Sequence, residues 1–185
     1  MNFTHWIWAH LQTTVFILCM LLRLPLALRY ATLAIALAGG LSIVVTAYIL
    51  PISGWLSGSS FILLLNCVGQ NFNWYILLSS NERSLVFRIS LILGLILYPA
   101  SLGLFNYYVY NWGFNSVLFP LILGAGIQLA WWRGYRKLAI LGLFILWAWL
   151  LNLSASQNLW DYLIDPWLVI YAFYSLEKSL FARQR

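Results

Sequence analysis

The sequence predicts an all-α integral membrane protein, a single polytopic domain over residues 1–185 with about seven transmembrane helices, its N-terminus outside and its C-terminus cytoplasmic. Three observations carry this expectation. Charged residues make up 8% of the chain and hydrophobic ones 63%, whereas soluble domains carry roughly 25% charge. The mean hydropathy is +0.86, and apolar residues come in runs of about twenty, enough to cross a hydrocarbon core about 30 Å thick at about 1.5 Å per residue. All ten Lys and Arg residues gather at alternate breaks between these runs. With almost no polar linker, the chain holds about six to eight spans and no separate soluble domain.

The breaks fall where arginine, proline or Ser/Asn clusters interrupt apolar runs. They place helices near residues 5–22, 30–50, 59–79, 84–105, 116–132, 137–153 and 159–178. The first ends before Arg23, and its segment MNFTHWIWAH lacks the basic leader of a secretory signal, so it is expected to remain as an anchor. The second stops at Pro51. Pro99 in the fourth and Pro120 in the fifth are expected to kink their helices. In the sixth, LFILWAWLL does not alternate with period two, so it is no strand of a closed barrel, the other lipid-compatible solution. Gly39, Gly40, Ser42, Gly94, Gly103, Gly124 and Gly126 allow close helix approach without forming a GxxxG signature or a phosphate loop.

Orientation follows from the basic residues, because loops rich in Lys and Arg stay cytoplasmic. Arg23 and Arg29 flank the first turn, Arg83 and Arg88 the third, and Arg133, Arg136 and Lys137 the fifth, while Lys178, Arg183 and Arg185 form the tail. The alternate loops, around PISGWLSGSS, NYYVYNWGFN and SASQNLWDYLID, contain no Lys or Arg. The net charge of +6 is thereby explained by topology and attraction to anionic lipid, and no nucleic-acid partner is expected.

No cofactor or metal is expected. Cys19 and Cys67 fall at different depths and outside any CxxC spacing, which argues against a disulfide or a thiol site. His5 and His10 are turned about 140° from each other on one helix, so they cannot ligate one metal from one face. No third histidine exists to hold a haem, and a zinc site would need Asp161 or Asp165. His10 is read as an interfacial anchor beside Trp6 and Trp8, or as a member of a site on the outer face.

Polar side chains inside a membrane are costly and ask for a reason. Asn66, Gln70 and Asn73 fall at i, i+4 and i+7 and so share one helical face. Either these amides fix helix packing or they line a polar groove. The outer loops are aromatic and uncharged, with Asn111 and Trp112 in one and Trp160 and Tyr162 in another. They form a headgroup-level belt, or a surface whose rings stack on sugars while Asn and Asp side chains take hydroxyl hydrogen bonds.

Asp161 and Asp165, two of the four acidic residues, stand in the apolar segment NLWDYLIDPWLVIY. Asp165 before Pro166 reads as an N-cap followed by proline at the first helical position. A helix from Pro166 to Lys178 rises only about 18 Å, so the cap lies below the outer surface or the helix starts near Leu159 and kinks. If residues 159–165 are helical, the two aspartates share a face.

Three functions compete. The first is a non-catalytic subunit or accessory of a cell-envelope complex that binds a lipid or glycan headgroup at its outer face. The second is a small transporter or lipid translocator using the amide stripe, and the third an enzyme with Asp161/Asp165 acid–base chemistry. No HExxH, GxSxG or similar constellation supports the enzyme, so the first leads. Membrane lipids and a protein partner or second copy are the expected partners, and a cell membrane the location, the inner one in a bacterium.

Overall fold

A computed structural model describes residues 3–21, 29–42, 44–48, 56–72, 77–104 and 109–183, and among these every regular element is helical. The long elements are α1 (Phe3–Leu21), α2 (Arg29–Leu41), α3 (Gly58–Asn71) and α4 (Ser80–Ser101). A 3₁₀ turn at Val109–Asn111 leads into the short α5 (Trp112–Asn115), followed by α6 (Leu118–Trp132) and α7 (Arg136–Leu150). The last expected helix is two pieces, α8 (Leu159–Leu163) and α9 (Pro166–Arg183). Residues 44–48 form a further helical turn beyond α2.

Helices α4 and α7 end at Ser101 and Leu150, short of the expected 105 and 153, while α6 ends at Trp132 as expected. Among the described residues, only α4, of 22 residues, is both long and apolar enough to cross a membrane by itself. At 15 residues each, α6 and α7 rise about 22 Å. The reason is C-capping. Gly103 (φ +77°), Gly134 (φ +83°) and Asn152 (φ +49°) follow α4, α6 and α7 in the left-handed region. Each closes a Schellman motif. The Gly103 N–H donates to Ala100 O and the Leu104 N–H to Pro99 O; the Gly134 and Tyr135 N–H groups donate to Trp131 O and Ala130 O; those of Asn152 and Leu153 donate to Trp149 O and Ala148 O. Hydropathy does not register these stops, because Leu102, Leu104 and Leu151 just beyond are apolar.

Packing runs outward from two pairs. Helix α1 lies between α2 and α3, α4 pairs with α9, α7 pairs with α6, and α3 touches α7 and α8. The largest core cluster joins Val86 and Leu97 of α4, Phe119 of α6, Leu141 and Ile145 of α7, and Trp160 and Tyr162 of α8. At the α4–α9 contact a Cβ on Gly94 would lie 2.6 Å from Val169 Cγ2, so the pair can approach only with glycine there. Polar side chains share the interior with the apolar core while large apolar ones face outward: Asn66, Asn158, Thr13, Thr32 and Ser57 are fully buried, and Ile92, Leu95, Leu121, Ile122, Trp147 and Ile170 are exposed.

Glu82 binds two of these helices together. It completes a capping box at the start of α4, its Oε2 accepting from the Ser79 N–H at 2.9 Å and the Ser79 hydroxyl at 2.7 Å. Its Oε1 accepts from the Lys137 and Leu138 N–H groups at 3.1 and 3.2 Å, in the first turn of α7. One carboxylate therefore serves two helix N-termini. Glu82→Ala removes the carboxylate half of the α4 capping box and the acceptor at the start of α7, leaves the Ser79 hydroxyl cap, and should lower unfolding free energy by about 1–2 kcal/mol, read as a reduced Tm of the purified protein. Glu82→Gln, which keeps an acceptor, should fall between; a Tm unchanged in Glu82→Ala would refute the double cap.

Candidate functional site

At the opposite end of α4 from Glu82 lies a cavity of about 570 Å³. It is walled by α1, the last turn of α4, the loop after α7 and the break between α8 and α9. Both aspartates line it. Their proximity does not come from a shared helical face, since Ile164 is extended (φ −148°, ψ 143°) and ends α8. The break itself turns the two side chains to one space.

The two carboxylates are held differently. Asp165, 2% exposed, accepts at Oδ1 from the Leu168 N–H at 2.8 Å, capping α9, as the Asp-Pro pair suggests. Its Oδ2 accepts from the Ser57 N–H at 2.8 Å and the Ser60 hydroxyl at 2.5 Å, at the start of α3. Like Glu82, it joins two helix N-termini. Asp161 is half-buried and, among the described residues, accepts from two hydroxyls, Tyr110 of the 3₁₀ turn at 3.0 Å and Ser156 of the loop after α7 at 2.5 Å. Burial first, and then the Asp161 charge, push the Tyr110 phenol up to about 12, so it remains a donor to Asp161 through the physiological range.

Trp160 and Tyr162 alternate with Asp161 and are buried behind it. The Trp160 indole N–H donates to Val109 O at 3.1 Å and its ring packs 4.3 Å from Phe119. The Tyr162 hydroxyl accepts from the Ser154 N–H at 2.9 Å. Asn158 adds a third tie, its Nδ2 donating to Tyr110 O while its Oδ1 caps α8 at the Trp160 N–H, each at 3.0 Å. A Cβ on Gly113 would collide with Asn158 Oδ1, so the α5 backbone closes over this loop. The loop that carries Asp161 is therefore built and not slack.

The other residues singled out in the sequence lie apart from this cavity. Asn111 and Trp112 are exposed on α5 and its preceding turn. His10 is buried, its Nδ1 facing Gly40 O at 2.5 Å and the Thr46 hydroxyl at 3.0 Å, where it ties α1 to the end of α2. Asn66, 1% exposed, accepts from the Leu78 N–H at 2.9 Å and anchors the turn before α4. Gln70 is exposed and meets Arg83 at 3.5 Å. Asn73 lies outside the described residues.

Sequence reasoning missed the wall that α1 contributes. His5, Trp8, Ala9 and Gln12 all line the cavity. Their i, i+3, i+4, i+7 spacing is one helical face and was the available signal. Tyr98 and Ser101 of α4 complete the wall, and nothing in their local pattern marks them.

Asp165→Asn should cost on the order of 3 kcal/mol of stability and lower the amount of folded protein, because buried donors from two helices lose a charged acceptor. Asp161→Asn should cost well under half as much, since its donors are hydroxyls that can rotate. Equal losses in a detergent melting experiment would refute the division of labour between the two aspartates.

No known family model, curated protein or solved structure matches the chain.

Proposed function

We propose that the chain is a seven-span protein of the cell membrane, N-terminus outside and C-terminus cytoplasmic. It serves there as a non-catalytic subunit or accessory of an envelope complex, holding the polar headgroup of a lipid or glycan in the Asp161 cavity. Two features support the membrane reading: the exposed faces of α4, α6 and α9 are apolar while buried Asn, Thr and Ser side chains meet inside. The basic residues Arg83, Arg136 and Lys137 accompany Glu82 at one end, and no Lys or Arg lines the cavity at the other, among the described residues. Helices as short as α6 and α7 suit a membrane when their capped turns sit at headgroup depth.

The observation that carries the binding reading is Asp161, a half-buried carboxylate on the wall of a 570 Å³ cavity, within the size range of small-molecule sites. An acid–base pair finds less support, because both oxygens of Asp165 are occupied by caps. A path along the α3 amides finds none, because Asn66 is bonded within the fold and Gln70 faces Arg83.

With Cys19 and Cys67 replaced by serine, single cysteines at Asn111 and at Arg133 test the topology. A membrane-impermeant maleimide applied to intact cells should label the first and spare the second; the reverse, or labelling of both, refutes it. Purification in mild detergent should retain a lipid or glycan, or a stoichiometric protein, and Asp161→Asn should release the small molecule. Protein that carries neither refutes the accessory reading.

A further inference from the structure

We infer that the group held in this cavity is an organic ammonium, such as the primary amine of an aminated lipid headgroup. The inference rests on the headgroup-binding reading above and adds the ligand's charge. Asp161 brings a carboxylate that two hydroxyls reach among the described residues, with Asp165 adding a second negative charge from the same wall. No Lys or Arg lines the cavity among the described residues and the imidazole of His5 is the one basic side chain on its wall, so the Asp161 charge has no fixed cationic counterpart. A neutral ligand would leave that charge uncompensated, and an anionic one would be repelled.

A second observation comes from α1. Gln12 is 2% exposed, and its Nε2 donates to Leu56 O at 2.9 Å, which fixes which way the amide points. Its Oε1 then has no donor among the described residues, although Gln12 lines the cavity. A buried acceptor in this position asks for an N–H or O–H from an occupant. An ammonium offers three N–H donors and no acceptor, which matches the Asp161 carboxylate and the Gln12 Oε1. The aromatic rings of Trp8, Tyr98 and Tyr110 line the same space, the surroundings that stabilise a desolvated organic cation.

A bare metal ion fits poorly. A water molecule takes roughly 30 Å³, and the cavity of about 570 Å³ is many times larger. Among the described residues no three His, Cys, Asp or Glu side chains are grouped to hold a metal.

Calorimetric titration of the full chain in detergent tests the inference with dihexanoyl phosphatidylethanolamine, its N-acetyl derivative, dihexanoyl phosphatidylglycerol and free ethanolamine. The amine lipid should bind at least about tenfold tighter than the N-acetyl and glycerol forms, the scale of one charge-assisted contact. Asp161→Asn should erase that preference, and Gln12→Met should weaken the amine lipid without weakening the N-acetyl form. Ethanolamine binding as tightly as the lipid would assign the ammonium to a soluble ligand, and lipid-only binding to the membrane; both support the ammonium. Equal binding of the amine and N-acetyl lipids overturns it while leaving the headgroup reading intact. Absence of binding by all four overturns the ammonium, and protein that also purifies without a lipid or glycan overturns the headgroup reading.

Discussion

A backbone N–H at a helix start needs an acceptor, and where that start is buried water does not supply it, so a side chain must. This chain answers that constraint with two carboxylates, each shared. Asp165 accepts from α3 and α9, and Glu82 accepts from α4 and α7. Because each oxygen pair reaches two helix starts, the relative position of those helices follows from the geometry of a single side chain. The partial positive charges at two N-termini in turn stabilise the buried anion, so acid and helices hold one another.

The cavity is a consequence of the Asp165 clamp. For Asp165 to cap α9 and also reach Ser57, the chain leaves helical geometry at Ile164, and α8 ends after five residues. The Schellman turn at Asn152 has already released the chain from α7, and residues 153–158 bring Ser156 and Asn158 beneath Tyr110. Asp161 is thus presented from a short helix fixed at both ends, facing α1 across open space. Continuous helix from 159 to 178 would have put its side chains against α4 along the whole length and left no such gap.

Much of this was legible where the physics is local. An all-helical chain was readable from apolar runs that do not alternate, and Asp165-Pro166 reads as a cap because the cap lies within three residues of its donor. The second role of each carboxylate was not legible. Lys137 lies 55 residues from Glu82 and Ser57 lies 108 from Asp165, and no spacing rule reaches that far. Asn66 and Gln70 stand four residues apart in α3, yet helical spacing does not say what meets an amide: Asn66 is buried and meets a turn, and Gln70 is exposed and meets an arginine. Helix ends were overestimated wherever apolar residues continue past a left-handed glycine or asparagine, because transfer free energy and backbone hydrogen bonding stop at different residues.

Asp161 and Asp165 show how little the residue type alone decides. They stand four positions apart in one segment and line one cavity, yet one accepts backbone N–H groups from two helices and the other accepts hydroxyls from loops. Backbone donors are held by the helices they begin, so replacing them with a ligand would mean undoing the fold. Hydroxyl donors rotate about single bonds and can turn to accept or be exchanged for an incoming N–H. Of the two, Asp161 is the one whose donors can turn away while the helix starts stay capped, and that freedom is what the proposed binding role of Asp161 draws on.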